Sequence, residues 1–117
     1  MSRATYLQIT DVRLLQDWGS KLRSVFTDDL LSGMPYLVGS ALDRPDYRDV
    51  DVRLILSDDV YDRLASVVDV MALNLAYSLW GQRVTGLPID FQVQRMTEAN
   101  AENPAAGRRH PIGMGWP

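Results

Sequence analysis

Asp49 and Asp51 stand one residue apart in the run Asp49-Val50-Asp51-Val52-Arg53-Leu54-Ile55-Leu56. Strand side chains alternate faces, so the two acids share one side while Val50, Val52, Leu54 and Leu56 share the other. Carboxylates held that close repel and raise each other's pKa, and a bound cation is the usual reason to keep both ionised. Oxygen-only ligands suit magnesium or manganese. The bland alternative is an exposed strand face whose acids serve solubility. Upstream, Tyr36-Leu37-Val38 reads as a short strand closed by Gly39-Ser40. Taken alone, that pair reads as an ordinary strand-ending turn. Downstream, Ile89, Phe91 and Val93 alternate with Asp90, Gln92 and Gln94, which offers a third carboxylate on another strand.

In this order, Gly39-Ser40, a short connector, Asp49-Val50-Asp51-Val52 and then Asp90 resemble the signature of the polymerase-beta-like nucleotidyltransferase superfamily, over roughly residues 11–95. The resemblance implies that Asp49 and Asp51 hold two divalent ions on the nucleotide phosphates, and that Asp90 helps hold the one that activates the attacking hydroxyl. Asp49, Asp51 and Asp90 are therefore the expected catalytic and metal residues, with Mg2+ or Mn2+ as cofactor. The expected phosphate-binding residues are Gly39, Ser40, Arg44, Arg48, Arg108 and Arg109. The implied reaction moves a nucleoside monophosphate from a nucleoside triphosphate to an acceptor hydroxyl. Arg44 and Arg48 can contact a triphosphate or pair with Asp43 and Asp46. Small members of the family often carry an arginine and a second glycine soon after the Gly-Ser turn, where this chain has Ala41-Leu42-Asp43. The alternative function is a catalytically weak nucleotide-binding or protein-interaction module of the same fold. A chain with no second domain for acceptor recognition favours that module, or an enzyme that completes its site with a protein partner or a second copy. Small free-standing members often work with a helical partner protein, which the resemblance implies here.

Positioning these residues requires an α/β (α+β) domain: a small mixed β-sheet, helices packed on one face, and the acids on the face left open. With 117 residues, 46% hydrophobic and 23% charged, the chain is expected to fold as a single nucleotidyltransferase-like domain over residues 1–117. A formal charge of −3 argues against holding long nucleic acid by phosphate neutralisation alone. No cysteine and one histidine exclude disulfides, thiolate metal sites and multi-histidine zinc sites. Residues 1–5 lack the apolar core of a signal peptide and no run approaches membrane-spanning length, so the expectation is a cytoplasmic protein without a membrane partner.

Along the chain, residues 5–9 read as a brief edge strand. A helix starting at Thr10-Asp11 carries Leu15, Trp18, Leu22 and Val25 at helical spacing through Phe26. Residues 41–48 are too polar for a buried element and read as a surface loop. Ser57-Asp58-Asp59 is a helix start. Tyr61, Leu64, Val68, Met71, Leu75 and Ser78 then trace one stripe, with Val67, Leu79 and Trp80 beside it, over one long helix or two short ones ending near Gly81 or Gly86. Trp18 and Trp80 read as core. Residues 97–117 form an irregular tail whose glycines and prolines exclude helix and strand. Ile112, Met114 and Trp116 would anchor residues 103–116 against the body and carry Arg108 and Arg109 toward the phosphates.

Overall fold

The computed structural model describes residues 6–27, 32–103 and 109–114. In chain order its elements are α1 (Ile9–Val25), β1 (Met34–Val38), α2 (Ser40–Asp43), β2 (Val50–Leu56), α3 (Asp58–Ala65), α4 (Val70–Thr85), β3 (Ile89–Arg95), α5 (Met96–Glu102) and β4 (Arg109–Pro111). The strands form one four-stranded mixed sheet in the order β3-β2-β1-β4. β2 runs parallel to β3, and β1 is antiparallel to both β2 and β4. This is the expected α/β class. Among the described residues, no single helix is long and apolar enough to cross a membrane.

Paired residues on neighbouring strands share a face, which sorts the sheet into two sides. Leu37, Val52 and Phe91 lie in one row of the buried side, flanked by Leu54, Val93, Val50 and Ile89. α1 and α4 cover it. Trp18 of α1 meets the Phe91 and Trp80 rings edge-on, with centroids 6.1 and 5.9 Å apart. Leu15, Trp18 and Leu22 recur at helical spacing and are all buried. Val25 is exposed instead, and Phe26, at the helix C-cap, takes the inward place. α1 begins at Ile9 rather than Thr10, because the Gln8 carbonyl accepts the Val12 N–H. The edge strand expected over residues 5–9 does not form among the described residues 6–9. There the Tyr6 N–H donates to the Ala41 carbonyl at 2.9 Å, and Leu7 is buried.

The connector expected to be a loop contains one helical turn, α2, held because Ala41 is buried. The helical region after β2 divides into α3 and α4, bent by 97°. Ser57 caps α3 by accepting the Val60 N–H, and Asp69 caps α4 by accepting the Ala72 N–H. Gly86, at φ 72, closes α4 in the left-handed conformation that suits glycine.

Of the stripe expected on α4, Ser78 turns inward and is buried, whereas Met71 is 82% and Leu75 62% exposed, as is Leu79 beside the stripe at 55%. A competing periodicity explains the rotation. Asn74, Ser78 and Gln82 also recur every fourth residue, and they run along the outer edge of β3. Asn74 Oδ1 accepts the Val93 N–H at 2.9 Å, and Ser78 Oγ accepts the Phe91 N–H at 2.8 Å and donates to the Phe91 carbonyl at 3.3 Å. Gln82 Nε2 donates to the Ile89 carbonyl at 3.0 Å. Unpaired backbone groups on a buried strand edge are costly, so satisfying them outranks burying one more apolar stripe.

Residues 96–102 and 109–111 form α5 and β4 where an irregular tail is expected. Leu37 pairs with His110 and Val38 with Arg109, and Pro111 is tolerated because β4 is an edge strand. α5 packs on the side of the sheet opposite α1 and α4, where buried Gln94 donates to Glu102 at 2.8 Å. The helices therefore do not all lie on one face, as the sequence pattern suggests. The expected return of the C-terminal segment is met by Ile112, which is buried, and Gly113, whose N–H donates to Gln16 Oε1 at 2.6 Å. Met114 is exposed, while Arg108 and Trp116 lie outside the described residues.

Ser78→Ala removes the acceptor of the Phe91 N–H from a buried site and should cost about 1–3 kcal/mol in chemical denaturation. Leu79→Ala, one residue along and exposed, should cost less than about 0.5 kcal/mol. Equal losses in the two variants would contradict the edge-sealing role.

Candidate functional site

The open part of the sheet's second face carries the acids. β2 and β3 pair so that Asp51 is the direct partner of Asp90, and Val38 and Arg109 continue the same row. Because the strands are parallel and in register, the two carboxyls come within hydrogen-bonding reach of each other. The Asp51 side chain is half-buried, and its pKa is raised above the ordinary value of 3.8. Burial is the largest cause, partly offset by Arg53, and the charges of Asp90 and Asp49 push it further up.

Gly39 sets the position of Asp51. It follows β1 with φ 78, a backbone conformation that L side chains rarely adopt. A β-carbon at Gly39 would also collide with Asp51 Oδ2, so the carboxylate occupies space that only glycine leaves. Ser40 opens α2 immediately beyond, half-buried, which places the expected Gly-Ser turn against the acid pair.

Asp49 stands apart from that pair. It lies one residue before β2, is exposed, and borders a pocket of about 410 Å³ with Gln82, Leu87 and Pro88. Asp90 borders a different pocket, of about 380 Å³, with Asn74, Leu75, Ser78 and Gln92. Asp49 thus acts on Asp51 through its charge. Among the described residues, no group of three carboxylate, histidine or cysteine side chains is arranged to hold a metal ion. Two adjoining carboxylates are nevertheless a donor set that suits magnesium, which commonly takes one or two carboxylates and fills its remaining positions with water and phosphate oxygens.

The residue that sequence reasoning missed is Arg53. It points to the same face as Asp51, two positions earlier on β2, and sits between the acids. Its Nη2 lies 3.9 Å from Asp51 Oδ1 and 3.5 Å from Asp90 Oδ2. Its Nη1 donates to the Asp90 carbonyl at 2.9 Å and the Val52 carbonyl at 3.2 Å. The signal was present, since the alternation that puts Asp49 and Asp51 on one face puts Arg53 there too.

The expected phosphate-binding arginines divide. Arg44 pairs with Asp46 at 3.7 Å on an exposed loop, the local option the sequence left open. Arg48 is exposed beside Asp49. Arg109 donates to Asn100 Oδ1 at 3.3 Å and lies over the Tyr36 ring at 4.9 Å, so its guanidinium is engaged by β1 and α5. Arg108 lies outside the described residues.

Two outcomes check this geometry. Gly39→Ala should destabilise the fold by about 1–3 kcal/mol and shift the Asp51 carboxyl resonances, because both the backbone and the carboxylate must move. A fold-neutral, unshifted variant would contradict the packing of Gly39 on Asp51. The second is a pH dependence. A raised carboxyl binds its proton more tightly in the folded chain, so this stability is present below the ordinary value of 3.8 and is lost as pH rises through the folded pKa. Asp51→Asn does not ionise, so without added metal it should melt above wild type near neutral pH, with the gap closing toward about pH 4. A constant gap between the two melting curves over that range would contradict the assignment.

No family model, curated protein or solved structure matches this chain.

Proposed function

We propose that this domain is a metal-dependent nucleotidyltransferase that moves a nucleoside monophosphate from a nucleoside triphosphate to an acceptor hydroxyl. The observation that carries the reading is the contact of Asp51 with Asp90 across parallel strands, backed by Gly39 at the mouth of the Gly-Ser turn. Asp51 and Asp90 would hold Mg2+ or Mn2+, and Asp49 would add negative charge from outside the pair. When bound, the ion supplies positive charge to the phosphate oxygens and acidity to the acceptor hydroxyl. Gly39 admits the Asp51 carboxylate, and Ser40, the next residue, would offer a hydroxyl and an amide to a phosphate. The acceptor hydroxyl would lose its proton to water as its oxygen attacks the α-phosphorus, the bond to the β-phosphate would break, and pyrophosphate would leave. Arg48, exposed next to Asp49, would be the arginine that meets the triphosphate. The same reading puts the protein in the cytoplasm, where nucleoside triphosphates are abundant.

A second reading draws on a separate observation. The exposed Met71, Leu75 and Leu79 form an apolar ridge on α4, and Leu75 also lines the pocket beside Asp90. A nucleotidyltransferase-like interaction module, with a protein partner or second copy on that ridge, would use the fold without the chemistry.

Binding only to the folded state stabilises it by mass action. Manganese with a non-hydrolysable triphosphate should therefore raise the melting temperature of wild type. Asp49→Asn with Asp51→Asn removes the charges at nearly constant shape and should abolish that rise while the chain stays folded. An equal rise in the double variant would sink the metal assignment. With an acceptor in hand, Asp90→Asn should lower transfer by at least about a hundredfold. Full transfer in that variant would favour the module.

A further inference from the structure

We propose that Arg53 is a fixed internal counter-cation of the acidic site, standing in for part of the positive charge that two carboxylates otherwise require from bound metal. The inference rests on the metal-binding reading above, and it concerns what a free ion meets on arrival.

Arg53 is poorly placed to be a phosphate ligand. Its side chain is only 13% exposed, and Nη1 is committed to the carbonyls of Val52 and Asp90. Those two bonds fix the guanidinium against the β2 and β3 backbone, so it cannot swing out to meet a substrate. Its Nη2 faces both acids, at 3.5 Å from Asp90 Oδ2 and 3.9 Å from Asp51 Oδ1. Those separations are longer than charge-assisted hydrogen bonds, which run about 2.7–2.9 Å. Arg53 therefore lends the pair its charge while leaving carboxylate lone pairs free to ligate. The arrangement has an electrostatic consequence: a divalent ion held by Asp51 and Asp90 sits within a few ångströms of a permanent positive charge. Repulsion at that range is strong even in a partly polar medium. Free metal should bind weakly, and metal escorted by a triphosphate, whose negative charge offsets the guanidinium, should bind much better.

The sequence position of Arg53 makes this testable on the protein as it stands. Mn2+ alone, without nucleotide, is titrated into wild type, Arg53→Gln and Asp51→Asn/Arg53→Gln, with unbound Mn2+ read by its electron paramagnetic resonance signal. Arg53→Gln should bind Mn2+ at least about tenfold more tightly than wild type, and the double variant should lose that gain. Arg53→Lys, which keeps a charge in place, should stay within about threefold of wild type. A folded Arg53→Gln with unchanged or weaker Mn2+ affinity overturns the inference while leaving the metal reading intact. If Arg53→Gln does not fold, the Asp51→Asn/Arg53→Gln variant should recover the fold, because removing one carboxylate removes the repulsion that Arg53 offsets. Failure of that rescue assigns Arg53 to packing and overturns the proposal. Absence of Mn2+ binding in every protein, with or without triphosphate, overturns both the inference and the reading beneath it.

Discussion

Parallel strands cannot be joined by a tight turn, so pairing β2 with β3 commits the chain to a long crossover, which α3 and α4 supply. That pairing also fixes Asp51 against Asp90, from strands separated by two helices in sequence. A shift of one residue would turn Asp90 toward the apolar side and bring Phe91 or Ile89 out. The buried side resists such a slip because Phe91 packs against Trp18 and Tyr77. Core packing on one face thus holds the acid pair on the other.

The price of that placement is local electrostatic tension. Asp51 is partly removed from water beside Asp90, and burial and like charge both favour its neutral form. Gly39 admits the carboxylate by having no side chain, and Arg53 relieves part of the repulsion. Neither residue improves the core. Their arrangement reads as strain tolerated for a site, in a domain whose stability comes from the apolar rows beneath it.

α4 serves two demands that differ in phase. Leu73, Tyr77 and Trp80 pack toward the core, while Asn74, Ser78 and Gln82 seal the edge of β3. Once both sets are satisfied, Met71, Leu75 and Leu79 are left on the outside. The same seal closes the side of the sheet next to Asp90, so the edge that carries the third acid is protected from pairing with another chain.

The order of the strands' apolar residues, the shared face of Asp51 and Arg53, and the Ser57 cap were all legible in the sequence, because each depends on neighbours a few residues apart. The α/β class followed from the same local periodicities. Tertiary structure alone decided which face of α4 is buried, since two stripes of equal period compete and only the unpaired edge of β3 selects between them. It also decided that residues 109–111 become a strand, because three residues with a proline carry no local signal and gain their structure from the open edge of β1. The separation of Asp49 from the Asp51 and Asp90 pair is of the same kind. Asp49 lies before the first paired residue of β2, so the register that sets Asp51 against Asp90 gives it no partner on β3.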